Sequence, residues 1–221
     1  MKKSLVLVVM LISFLCLLSL TVAHAYPVSV GQAIKFGDGP GTTGGGEFLV
    51  YDWDTNAYLF RSFCLETNEY LNYSSKFIVQ DISTEARNGG SGGGSPDPIS
   101  AYTAYLYSNF YAGTLDQYAY TGTIQERNAS ANALQEAIWW LEDETLGKQN
   151  YYTDLAIQAV DVDKIWSGLG DVRVINLVYA DGRRAQDQLT VAPVPEPASM
   201  LLLGTGLIGL AGFGRKKLRK S

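Results

Sequence analysis

The feature that most restricts this chain is the run 198–213, sixteen residues without a charge. As a helix it spans ~24 Å, short of the ~30 Å hydrocarbon core of a bilayer. Pro195, Glu196 and Pro197 precede it, and Arg215, Lys216, Lys217, Arg219 and Lys220 follow it. Basic residues stay on the cytoplasmic side, and their long stems snorkel to make up a short span. The pattern therefore predicts that everything ahead of Pro195 is held outside the cytoplasmic membrane, leaving one stretch in which a water-soluble core can form.

The other end agrees. Met1-Lys2-Lys3 is a positive start, residues 5–22 are an apolar run, and Ala23-His24-Ala25 is a small-residue cleavage site. Export with cleavage after Ala25 is expected. The order Pro-Glu-Pro, short span, basic end resembles the sorting signal of PEP-CTERM proteins. That resemblance implies the membrane protease exosortase as processing partner and a transient anchor in the cytoplasmic membrane through the C-terminal helix. It further implies delivery to the outer surface or extracellular matrix of a Gram-negative-type bacterium. The expected division is a signal peptide over 1–25, an extracellular domain over 26–192, and a sorting signal over 193–221.

Residues 26–197 carry ten basic against 22 acidic side chains, a net charge of −12. A field of that sign repels nucleic acid, which is excluded as a partner. The only histidine, His24, leaves with the signal peptide. Ser-His-Asp and Cys-His catalysis and the usual zinc sites go with it; no cofactor or metal is expected. Residues 26–197 also hold a single cysteine, Cys64, so no internal disulfide forms, and a lone thiol in an oxidising compartment needs an explanation.

Strand-like alternation over 28–36 is followed by a glycine-rich loop over 37–46 and two further strands, 47–51 and 57–65. Between them, 52–56 resembles the opening of a calcium loop. Ala57 and Phe63 stand where its glycine and glutamate belong, so a hairpin turn is the better reading. A strand over 76–82 precedes a second glycine-rich loop. The period then becomes helical over 99–111, strongly over 127–145, and weakly over 153–167. Alternation returns over Val172–Tyr179 and Gln188–Val191, around a turn at Asp181-Gly182. The expectation is an α+β fold: a sheet that is barrel-like or part of a sandwich, completed by a C-terminal hairpin, with an all-helical insert. The aromatics between Tyr102 and Tyr120 read as core with hydroxyls near the surface. Glu142-Asp143-Glu144 reads as a solvated helix end, although acids at a helix C-terminus oppose the dipole.

Two segments carry chemistry. Cys64 ends an apolar strand in Phe63-Cys64-Leu65. Gln135 lies on the strongest helix, in Leu134-Gln135-Glu136-Ala137-Ile138-Trp139-Trp140. With Leu134 at zero, Ile138 falls at about 40° and Leu141 at about −20°, but Gln135 at about 100° and Trp139 at about 140°. The glutamine thus flanks the buried stripe and shares its side with a tryptophan. Both segments resemble the thioester domains of bacterial surface adhesins, in which a strand cysteine attacks a helix glutamine and ammonia leaves. The resemblance implies Cys64 as thiol, Gln135 as acyl donor, and Phe63, Trp139 and Trp140 as shields against water. Leu134 departs from the family's frequent threonine, and the 71-residue spacing is shorter than in well-known members.

The resemblance implies a covalent attachment protein, not an enzyme, whose partner is an extracellular polymer or surface protein bearing an amine or hydroxyl. The other reading is a non-covalent matrix or carbohydrate-binding structural protein with an inert, buried Cys64.

Overall fold

The computed structural model describes residues 27–192, other than 43, 88, 90, 91 and 93. Strands β1 (Ala33–Asp38), β2 (Phe48–Asp52), β3 (Tyr58–Ser62) and β4 (Phe77–Ser83) come first, then the two-residue strands β5 (Glu85–Ala86) and β6 (Asp97–Pro98). Helices α1 (Ala101–Tyr111), α2 (Ile124–Leu141) and α3 (Tyr151–Ile157) follow, the last running into a π-helical turn, Gln158–Val162. Strands β7 (Val172–Tyr179) and β8 (Gln188–Val191) end the order.

Six strands form one antiparallel sheet in the order β3-β2-β1-β4-β7-β8. β7 pairs with β4 across the whole helical insert, so this is an α+β fold completed by a returning hairpin. The sheet curls until its edges meet at one end. The Leu189 N–H donates to the Phe63 carbonyl at 3.0 Å, Cys64 bridges Gln188, and the Ser62 hydroxyl donates to the Leu189 carbonyl at 2.7 Å. The Tyr107 hydroxyl of α1 reaches both edges, 2.9 Å from the Arg61 carbonyl and 3.0 Å from the Leu189 carbonyl. The result is a half-barrel.

Two apolar cores follow from the period of two along a strand. Phe36, Val50, Phe60, Cys64, Phe77, Ile175 and Leu177 face inward, whereas Phe63, Leu65, Val172, Val174 and Leu189 face the helices and meet Leu106, Phe110, Leu134 and Ile138. β7 is buried on both faces over much of its length.

Several boundaries differ from the sequence pattern for local reasons. β1 starts at Ala33 rather than 28, because Gly31 takes a φ of +87° and turns the chain beforehand. α2 starts at Ile124, three residues early, where the Thr123 side chain and Glu126 form a reciprocal capping box. It ends at Leu141 rather than 145, with Asp143 at a φ of +58°. α3 is also shorter than its pattern and widens into the π turn. The 52–56 segment is a hairpin turn: Asp52 Oδ1 accepts from the N–H groups of Asp54 and Thr55, and Asn56 takes a φ of +58°.

Candidate functional site

Cys64 lies just past β3, at the seam where the curled sheet meets its other edge, and Gln135 projects from α2 into that seam. Both are fully buried. The Cys64 sulfur is 3.3 Å from Gln135 Oε1, across 71 residues of sequence. The amide also pairs with the Cys64 backbone: Oε1 accepts the Cys64 N–H at 3.3 Å, and Nε2 donates to the Cys64 carbonyl at 2.9 Å. Gln135 thus covers the side of Cys64 that Gln188 does not. A buried amide needs such partners, since an unpaired one costs about 1–3 kcal/mol.

A third donor comes from the glycine-rich loop. The Gly46 N–H lies 3.2 Å from the same Oε1. That approach requires glycine: a Cβ on Gly45 would stand 2.7 and 2.8 Å from atoms of the Trp139 ring and 2.9 Å from Gln135 Cγ. The loop is fastened along α2 by amide side chains. Asn128 Oδ1 accepts the Gly41 N–H at 3.0 Å, Asn132 Oδ1 accepts the Thr42 N–H at 2.7 Å, and Asn132 Nδ2 donates to the Thr42 hydroxyl at 2.9 Å. Asn128, Asn132, Gln135 and Trp139 fall within about 60° of one another at 100° per residue. In the sequence this ladder shows only as amides at i, i+4 and i+7 beside a glycine run, a pattern that composition and apolar periodicity pass over.

Of the three expected shields, only Trp139 is beside the sulfur. It is buried in the inner core with Cys64. Phe63 points the other way, into the helix-side core, edge-on to Phe110 at a centroid distance of 4.9 Å. Adjacent strand residues cannot share a face. Trp140 lies 100° further round α2 than Trp139 and is 39% exposed. It lines a surface hollow of about 470 Å³ with Tyr102, Asp143, Glu144 and Asp161. The second cover is the 44–46 backbone.

Burial drives the Cys64 thiol far above its ordinary range, and the neighbouring Glu66 carboxyl adds to the shift. At neutral pH it is a thiol, not a thiolate. The Trp139 indole N–H favours the thiolate form but makes no hydrogen bond of good geometry. Glu66, two residues on and 1% exposed, is itself raised by burial and by Asp187.

The other sequence candidates are structural. Tyr107 and Phe110 are buried core, the Tyr118 hydroxyl donates to Glu47 at 2.7 Å, and the Tyr120 hydroxyl to the Phe110 carbonyl at 3.1 Å. Glu47, buried directly after Gly46, meets Arg61 at 3.4 Å and Arg127 at 3.9 Å and so anchors the loop's end. Glu142 and Glu144 are not solvated. Glu142 accepts the Ser100 N–H and hydroxyl at the start of α1, and Glu144 accepts from Thr67 at 2.9 Å. Among the described residues, no group of three or more His, Cys, Asp or Glu could hold a metal ion.

Residues 193–217 match the PEP-CTERM protein-sorting motif. No curated protein and no solved structure matches the chain. The motif marks an exported protein that exosortase processes, with a transient membrane anchor. Among the described residues no helix is long and apolar enough to cross a membrane. Ala25, Pro195, Glu196, Pro197 and the 198–213 span lie outside the described residues.

Proposed function

We propose that this exosortase-sorted protein attaches covalently to an amine- or hydroxyl-bearing extracellular polymer or surface protein, through an internal thioester between Cys64 and Gln135. The observation that carries the reading is the 3.3 Å approach of the Cys64 sulfur to the amide oxygen of a fully buried Gln135. In the reaction the sulfur bonds to Gln135 Cδ, the bond from Cδ to Nε2 breaks, and the thiol proton passes to the departing nitrogen. Ammonia leaves and no oxidant or cofactor is consumed. A neutral thiol is a poor nucleophile, but fixed proximity is worth effective molarities of about 10⁵–10⁸ M, and the step happens once per molecule.

The thioester is then an activated acyl group in a water-poor site, and a target amine that reaches it forms an amide while an amine proton passes to the departing Cys64 sulfur. Each chain turns over once, so the protein is not an enzyme. The sorting signal and this chemistry together support placement on the outer surface or in the matrix. The test is intact mass of the secreted domain: it should be lighter than its sequence by one ammonia, with no reactive thiol until methylamine is added. Cys64→Ala should abolish both. A full-mass protein with a thiol that titrates on unfolding would sink the proposal.

One observation favours a second, non-covalent reading. The hollow bearing Trp140, Tyr102, Asp143 and Asp161 joins ring faces to carboxylates, a combination suited to stacking and hydrogen-bonding a sugar. Loss of polysaccharide binding in Trp140→Ala, with an unmodified Cys64, would decide for it.

A further inference from the structure

The thioester reading accounts for a thiol and an amide in contact, but not for the arrangement of donors around the amide oxygen. Three groups converge on Gln135 Oε1: the Cys64 thiol at 3.3 Å, the Cys64 N–H at 3.3 Å and the Gly46 N–H at 3.2 Å. Two of the three are backbone donors from segments distant in sequence, held by the sheet seam on one side and by the glycine loop on the other. A ground-state amide oxygen is satisfied by fewer. The pairing of a nucleophile's own N–H with a glycine N–H is also how serine proteases hold a tetrahedral oxyanion. Donors to such an oxyanion sit at about 2.7–3.1 Å, slightly closer than the distances to the neutral oxygen here.

Resting on the thioester reading, we infer that the Gly46 and Cys64 N–H groups form an oxyanion site for acyl transfer at Gln135, and that Asn128 and Asn132 position the loop that supplies one of them. When the sulfur adds to Cδ, the carbonyl electron pair moves onto Oε1, and the two N–H groups stabilise that charge. Its collapse expels Nε2 with the thiol proton as ammonia. The same site serves the second step. An incoming amine adds to the thioester carbon, the charge appears on the same oxygen, and collapse releases the Cys64 sulfur. Gly46 N–H and Cys64 N–H touch the reacting oxygen. Asn128 and Asn132 act only through the Gly41 and Thr42 amides they hold.

The inference separates from a simpler one, in which the loop is only a lid over the site. Loosening a lid admits nucleophile and speeds capture; loosening an oxyanion loop slows it. The experiment compares wild type with Asn132→Ala and, separately, Asn128→Ala. Each loses one or two partly exposed hydrogen bonds, so both should fold, which thermal unfolding checks. The readouts are the fraction of purified protein lacking one ammonia and the second-order rate of methylamine addition at Gln135. Loss of one oxyanion donor typically costs on the order of 10²–10³-fold. A partial loss of loop order should therefore slow capture roughly tenfold to a hundredfold, or leave a fraction of chains with a free thiol. Asn132→Asp and Asn128→Asp keep the accepting oxygen and should restore most of the rate. Capture at the wild-type rate, or faster, with complete ammonia loss would overturn the oxyanion role and leave the thioester intact. A wild type that keeps its ammonia would instead remove the thioester reading itself.

Discussion

Glu142→Gln should remove a pH dependence that burial builds into the fold. Glu142 is 9% exposed, and its carboxyl accepts from the N–H at 3.1 Å and the hydroxyl at 2.7 Å of Ser100, the N-cap of α1. Burial pushes it up from its ordinary 4.5 to about 7, against the Thr103 and Ser100 groups beside it that pull it down. Below pH 4.5 the group is protonated in both folded and unfolded chains and gives no difference. Between 4.5 and about 7 the unfolded chain loses the proton first, so stability falls as pH rises. Above about 7 both forms are ionised and the loss is complete. The gap corresponds to roughly 3 kcal/mol. Glutamine keeps an oxygen for Ser100 and has no charge to bury. Urea unfolding of both proteins at pH 4.5 and pH 7.5 provides the comparison. Glu66 and Asp187 are raised in the same sense but are common to both chains, so the difference isolates Glu142. The variant should gain about 1–3 kcal/mol on wild type between the two pH values. A wild-type to variant difference that does not change with pH would refute the reasoning.

Tyr107→Phe removes the hydroxyl that ties the two sheet edges together; it should cost about 1–3 kcal/mol, read from the denaturation midpoint, and an unchanged midpoint would show that the seam holds without it. Gly45→Ala drives a methyl into Trp139 and Gln135 and should destabilise by about 1–3 kcal/mol, whereas Gly44→Ala, whose Cβ meets nothing within 4 Å, should lack that clash and cost only the strain of its φ of +83°. C-terminal peptide mapping of the released protein should find no peptide from 198–221; recovery of the basic tail would show that the protein leaves the membrane uncleaved.

The C-terminal sorting motif, the fold class and most of the elements were legible in the sequence because they depend on local chemistry. Apolar runs, a Pro-Glu-Pro and a basic cluster need no partner to be recognised. Alternation over Val172–Tyr179 and Gln188–Val191 delimited β7 and β8 as they are found. The pairing of Cys64 with Gln135 was suggested by the resemblance of their flanking residues to thioester domains, and a lone thiol and an amide at the margin of an apolar stripe agreed with it.

What only the tertiary structure decided is which face each residue turns to, and against what. Phe63 and Cys64 are neighbours in sequence but belong to different cores, and of Trp139 and Trp140 one is buried in the inner core and the other lies at the surface. Hydrophobicity alone does not distinguish the members of either pair. The seam between β3 and β8, the burial of Glu142 and Glu144, and the seating of the glycine loop on Asn128, Asn132 and Gln135 all join segments that composition and periodicity treat separately. Each of these contacts is chosen by how the curled sheet and α2 pack together, and that packing has no local signature in the chain.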